Sequence, residues 1–263
     1  MICLTFDTDH LDEARLTEFL ETHKIAGRAT VFCTQRFDCL AHSDHELGPH
    51  PYLAAGVDWT SELLAKRQML PEALGWRSHS CVFSHLIARW LGENGYRYVS
   101  IEERFGQSGM LPTRHPMGTV WQIPIYYMDT FDISRQRFWP DDDVQPFDTA
   151  LIGRALAPEG LYVFDFHPVH IMLNTPTPEF YLAARDRYRN GVAIQRLRYG
   201  GTGIGTFFAQ LIAKMEAAGA CSVGMADALA TQSSSKGAQP VEGKLSASGY
   251  SDGFSGIEPR TEM

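Results

Sequence analysis

The chain has 263 residues, 44% hydrophobic and 21% charged, with a formal net charge of −8. That composition suits one large globular domain with a full core. It carries no Lys/Arg cluster, so neither a nucleic acid nor an anionic membrane is an expected partner. No run reaches the ~18 apolar residues that a membrane span needs. The five cysteines include no CxxC pair, which fits reduced thiols. The N-terminal "MICLTFDTDH" is acidic by position 7 and lacks the basic start of a signal peptide, so a cytoplasmic location is expected.

In chain order, residues 1–6 read as a short buried strand and 11–25 as a helix with Leu11, Leu16, Phe19 and Leu20 near helical spacing. Gly27 ends that helix, and "ATVFCT" (29–34) reads as the second strand. "HELGPHPY" (45–52) holds two histidines and a glutamate among Gly and Pro, so it is a loop or strand end. A helix is predicted over 57–70, a short strand leading into a polar loop over 73–80, and an amphipathic helix over 83–95. Residues 96–101, 119–127 and 160–168 read as strands, the last of them the strongest strand signal in the chain. Helices are predicted over 177–189 and 205–219, and a last short strand over 221–225. From Thr231 glycine and serine dominate, so the domain is expected to span 1–230, with 231–263 a flexible tail.

Strands alternating with helices imply βαβ units and a mainly parallel sheet, either a barrel or an open doubly wound sheet. In such folds the active site lies at the C-terminal ends of the strands. Four strand ends deliver Asp or His: Asp7, Asp9 and His10; then His45, Glu46 and His50; then Arg77 and His79; then Asp165, His167 and His170. One such residue alone would be a cap or a solvated side chain. Four together point to a metal-dependent hydrolase. Asp7 and Asp9 share a face because they alternate along a strand. Two like-facing carboxylates repel unless a cation or proton intervenes. Asp9 could equally cap the helix that follows. Trp59, Trp76, Trp121, Tyr126, Tyr127 and Trp139 could stack on sugar rings or lie in the core.

"TFDTDH", "ATVFCT", "DHELGPH", "GWRSHS" and "FDFHP" occur in the order of the motifs of the polysaccharide deacetylase family, the NodB-homology carbohydrate esterases (family 4), which the chain resembles over about residues 1–225. "ELGPHP", "RSHS" and "FHPVHIMLNT" resemble more closely the WbmS-like subgroup associated with bacterial O-antigen clusters. The resemblance implies a distorted (β/α) barrel of about seven parallel strands. It implies Asp7 as general base, Asp9 and His50 as metal ligands, Arg77 as the residue that orients the base, and His167 as general acid. The family's second motif ends His-x-x-x-His, but four residues after His50 stands Ala54. His79 is therefore expected to supply the missing ligand. His10, Glu46, Asp165 and His170 are expected around the site as substrate-binding or supporting residues, and His45 is expected to point elsewhere.

The expected protein is a divalent-metal hydrolase, with Zn²⁺ the first candidate. It removes an acyl group, such as acetyl, from a sugar-containing precursor in O-antigen biosynthesis. Two alternatives stay open: hydrolysis of another amide on the same barrel, and a non-catalytic, sugar-binding descendant.

Overall fold

A computed structural model describes residues 1–117, 119–138, 145–157 and 160–235. The elements in chain order are β1 (Ile2–Asp7), α1 (Glu13–Thr22), β2 (Thr30–Cys33), β3 (Glu46–Pro49), α2 (Trp59–Met69), β4 (Gly75–Trp76), α3 (His85–Glu93), β5 (Tyr98–Val99), β6 (Thr113–Arg114), β7 (Trp121–Gln122) and β8 (Tyr127–Met128). They continue with α4 (Asp129–Phe138), α5 (Ala150–Ala155), β9 (Tyr162–Phe166), α6 (Pro168–Leu173), α7 (Pro178–Arg189), α8 (Ile204–Ala217) and α9 (Met225–Ser235). Five strands form one sheet in the order β3-β2-β1-β9-β8, and every neighbouring pair in it is parallel. A second sheet has the order β4-β5-β7-β6, with only β6 antiparallel to its neighbour. This is the α/β architecture expected, built as two arcs of sheet. They meet where the Arg77 amide donates to the Pro49 carbonyl (3.3 Å) and the His79 amide to the Pro51 carbonyl (3.0 Å).

β1 shows how sequence becomes layers. All six of its residues are buried, as expected for a central parallel strand covered on both faces. Ile2, Leu4 and Phe6 face outward into the core shared with Leu16 and Phe19 of α1 and Phe207 and Phe208 of α8. Cys3, Thr5 and Asp7 take the alternate face. Cys3 packs with Phe32, Tyr98 and Ile123. Thr5 meets Arg77 and Asp165. Asp7, last in the strand, reaches the open end. The interior therefore passes from apolar to charged along a single strand.

Two expected strands differ. The 119–127 run is broken in the middle. Pro124 has no N–H to donate and ends the ladder. Before it, the Ile123 amide bonds Val99 of the second sheet (2.9 Å). After it, Tyr126 bonds Val163 of the first (2.9 Å). One predicted strand is thus two, in two sheets. Residues 221–225 make single bridges, from Ser222 to Ile2 and to Gly27. Gly27 has φ 88°, and a Cβ there would strike the Ser222 carbonyl oxygen. The chain then turns into α9, whose Met225, Ala228 and Leu229 are buried. The helix runs past the boundary expected at residue 230, and the tail from 236 lies outside the described residues, as does Trp139. Among the other aromatic candidates, Trp76, Tyr126 and Tyr127 are core residues. No helix among the described residues is long and apolar enough to cross a membrane.

Candidate active site

Asp7 ends β1, and the turn after it is pinned to β2: the Thr8 amide donates to the Phe32 carbonyl (3.1 Å) and the Thr34 amide to Thr8 Oγ1 (3.0 Å). This delivers Asp9 to the mouth of the sheet, where it is buried. Asp12, not Asp9, caps α1, accepting from the Arg15 amide at 3.0 Å. Asp9 is instead ringed by imidazoles. Its Oδ2 lies 3.1 Å from His50 Nε2, 3.0 Å from His79 Nδ1 and 3.4 Å from His167 Nε2. The Tyr52 hydroxyl donates to its Oδ1. Burial would raise the Asp9 carboxyl, but the hydrogen bonds from His167, His50 and His79 prevail and hold it far below the usual carboxylate range.

The donor atoms of Asp9, His50 and His79 lie within 4.8 Å of one another. The two imidazole nitrogens stand at 3.1 and 3.0 Å from Asp9 Oδ2. Two metal bonds of about 2.0–2.2 Å can span such separations, and two imidazoles with one carboxylate form a known catalytic zinc set. The other nitrogen of His50, Nδ1, is buried without a hydrogen-bond partner, 3.7 Å from Asp7 Oδ2. A ligating histidine characteristically presents its second nitrogen to a carboxylate. The residues present fit a divalent ion. His79 belongs to the turn that follows β4, brought beside the end of β3 by its backbone bond to Pro51.

Arg77 is fully buried. Its Nη1 donates to Thr5 Oγ1 (2.9 Å), Asp7 Oδ1 (3.1 Å) and Asp165 Oδ1; its Nε and Nη2 go to the carbonyl and hydroxyl of Ser100 (both 2.9 Å). The guanidinium lies 4.4 Å over the Phe32 ring. Burial works against its charge, but Asp165 and Asp7 keep the guanidinium ionised. One cation thus serves two carboxylates. Asp165, the more enclosed, is pushed up to about 7 by burial, against the pull of Arg77 and with Asp7 adding repulsion.

His167 stands at the end of β9 and caps α6. Its Nδ1 and its backbone N–H both bond Asp129. Burial lowers its proton affinity, but the Asp129 charge outweighs that and leaves the ring well above an ordinary histidine. His170 packs its ring against that of His167 (centroids 5.5 Å apart) and bonds Thr175 Oγ1 at 3.0 Å. His10 sits at the rim, its carbonyl held by the Tyr188 hydroxyl.

Glu46 is a correction. It begins β3, while His50 follows that strand's end, so roughly 13 Å separates them at ~3.3 Å per residue. Its carboxylate accepts from Tyr98 (2.7 Å), Thr30 (3.1 Å) and the Ala226 amide of α9 (2.9 Å). It ties the start of β3 to β2, β5 and α9, and makes no contact with Asp9, His50 or His79. His45 points away as expected, accepting from the Ala29 amide at 3.3 Å. Asp129 and Tyr52 were not foreseen. Asp129 follows the last residue of β8, so the rule that strand ends carry the chemistry would have found it had β8 been placed correctly. Tyr52 closes the "HELGPHPY" stretch, but nothing in the sequence marks its contact with Asp9.

The family model for WbmS-like polysaccharide deacetylases matches residues 4–185. The structure is similar to one from Bordetella bronchiseptica, assigned as a polysaccharide deacetylase involved in O-antigen biosynthesis. The two share 29% sequence identity and a TM-score of 0.65, over 81% of this chain and 90% of that one. A second similar structure, assigned as a polysaccharide deacetylase of Mycobacterium smegmatis, has 16% identity and a TM-score of 0.51, over 89% of this chain and 90% of that one; that likeness is one of fold. No curated protein matches the sequence significantly. The chain belongs to the WbmS-like polysaccharide deacetylase family.

Proposed function

We propose that the protein is a metal-dependent hydrolase that removes an acyl group, with acetyl the expected one, from a saccharide precursor of a bacterial surface polysaccharide. One observation carries the reading: Asp7 and Asp9, two residues apart, have opposite surroundings. Asp9 lies among three imidazoles, whereas Asp7 is clamped by a buried guanidinium. That contrast separates a ligand from a base. The family match and the O-antigen assignment of the Bordetella protein support the saccharide class.

In this reading Asp9, His50 and His79 hold the ion, with Zn²⁺ the first candidate. The ion, when bound, supplies Lewis-acid polarisation and a more acidic water. Asp7, oriented through Oδ1 by Arg77, accepts the proton of the attacking water. The water oxygen bonds the acyl carbon. His167, turned by Asp129, gives its Nε2 proton to the departing nitrogen or oxygen as its bond to that carbon breaks. The products are a carboxylic acid and the freed sugar amine or alcohol. The test measures metal content and acetate release from N- and O-acetylated saccharides, before and after chelation and metal restoration. Metal-loaded protein that binds acetylated sugars yet releases no acid from any of them would establish a binding protein instead.

A further inference from the structure

The mouth of the site holds a cation that this chemistry leaves unused. Arg189, the last residue of α7, donates from Nη2 to His10 Nδ1 at 3.1 Å. His10 directly follows Asp9 and has a left-handed backbone, φ 61°, uncommon for a residue with a Cβ. The Tyr188 hydroxyl fixes that conformation by donating to the His10 carbonyl. Two consecutive residues of α7 thus tie down the loop that presents Asp9, and one of them carries a positive charge.

That charge is not answered within the described residues. A guanidinium has five donors and no acceptor, and one of the Arg189 donors is used by an imidazole. The buried arginine of the same site, Arg77, is by contrast paired with Asp7 and Asp165. No carboxylate among the described residues bonds Arg189, in a chain whose net charge is −8. A second polar group nearby also lacks a partner. Tyr181, two turns earlier on α7, packs against His170 (ring centroids 4.5 Å apart) and lies 6.3 Å from the His10 ring. Its hydroxyl is buried and makes no hydrogen bond among the described residues. Burial pushes this phenol up to about 12, against the pull of His167 and Arg189, so it keeps its proton and stays a donor. A buried polar atom without a partner requires a reason, and a group on the bound substrate supplies one.

We infer that Arg189 and Tyr181 form an anion-binding subsite at the mouth, and that the saccharide acted on carries a carboxylate or a phosphate. The inference rests on the saccharide-hydrolase reading above. A planar guanidinium with free donors matches either oxyanion in a two-point contact, and the tyrosine adds a donor from the same helix.

Three probes test it by calorimetric titration of the full, metal-loaded chain: N-acetylglucosamine, its 1-phosphate and N-acetylglucosaminuronic acid. At least one anionic probe is expected to bind about tenfold or more tighter than the neutral sugar, and which one does separates phosphate from carboxylate. Arg189→Gln should erase that difference, and Tyr181→Phe should reduce it. Equal binding of all three by the native chain, no binding of either anion, or an anion preference that survives Arg189→Gln overturns the inference. Because binding is read apart from turnover, tight anion binding without acetate release would defeat the hydrolase reading alone. Acetate release with no anion preference would defeat the subsite alone.

Discussion

Asp129 grips His167 at two points. Its Oδ2 accepts from the His167 backbone N–H at 2.7 Å, and its Oδ1 bonds ring Nδ1 at 2.8 Å. With Nδ1 committed, Nε2 is the nitrogen that faces Asp9, at 3.4 Å. A carboxylate in this position fixes both the tautomer and the tilt of an imidazole.

Asp129→Asn should therefore keep the fold and the metal but lower kcat by roughly 10²-fold or more, the scale of a misdirected acid. Steady-state acetate release, read beside metal content, checks it. A variant within a few-fold of the native rate would remove His167 from the role of acid.

Asp7→Asn keeps the shape of the side chain and its contact with Arg77 but cannot take a proton. Metal content should stay at the native level, because the donor cluster is Asp9, His50 and His79, while kcat falls by about 10²–10⁴-fold. Turnover above about a tenth of native would show that Asp7 is not the base.

His79→Ala and His50→Ala should lose metal alike, although His50 is buried and the His79 side chain is 35% exposed. Both nitrogens approach the same Asp9 oxygen, so each supplies one of three donors. Elemental analysis after dialysis decides. A His79→Ala protein that retains a full complement of metal would make His79 only a hydrogen-bond partner of the loop.

Much of this arrangement is legible in the sequence because it depends on short-range rules. β1, β2 and β9 are apolar runs bounded by polar residues, and the strand-end rule places Asp9, His50 and His167 among its candidates without coordinates. What stays hidden depends on the third dimension. Pro124 divides a run that looks like one strand, and this conceals the end of β8 and so Asp129. The Ser-rich end of α9 masks the three buried residues at its start. Glu46 lies four residues from His50 in sequence yet at the opposite end of a strand.

Glu46 provides a test of that far end. Glu46→Ala leaves the buried hydroxyls of Tyr98 and Thr30 without their acceptor. Each stranded group costs about 1–3 kcal/mol, so the melting temperature should fall by several degrees. Metal affinity should change little, since the carboxylate is remote from the ligands. Selective loss of metal with unchanged stability would return Glu46 to the site.

His170 makes a pH prediction with a definite sign. Burial lowers its proton affinity from the ordinary 6.5 to about 4, with the Asp129 charge opposing. The ring is therefore neutral in the folded protein where it would already be protonated in the unfolded chain. Between these two values the unfolded state binds more protons, so stability rises with pH across the window. The contribution is complete above about pH 6.5, shrinks as pH falls, and is exhausted near pH 4. A difference of that size corresponds to about 3 kcal/mol at most. His170→Gln removes the titration and can keep a hydrogen bond to Thr175, the native partner at 3.0 Å. Denaturant unfolding at intervals from pH 4 to 7 should then give a shallower dependence for the variant, by close to one proton at mid-window. Parallel curves for the two proteins would mean that His170 is protonated in the folded state as readily as in the unfolded one.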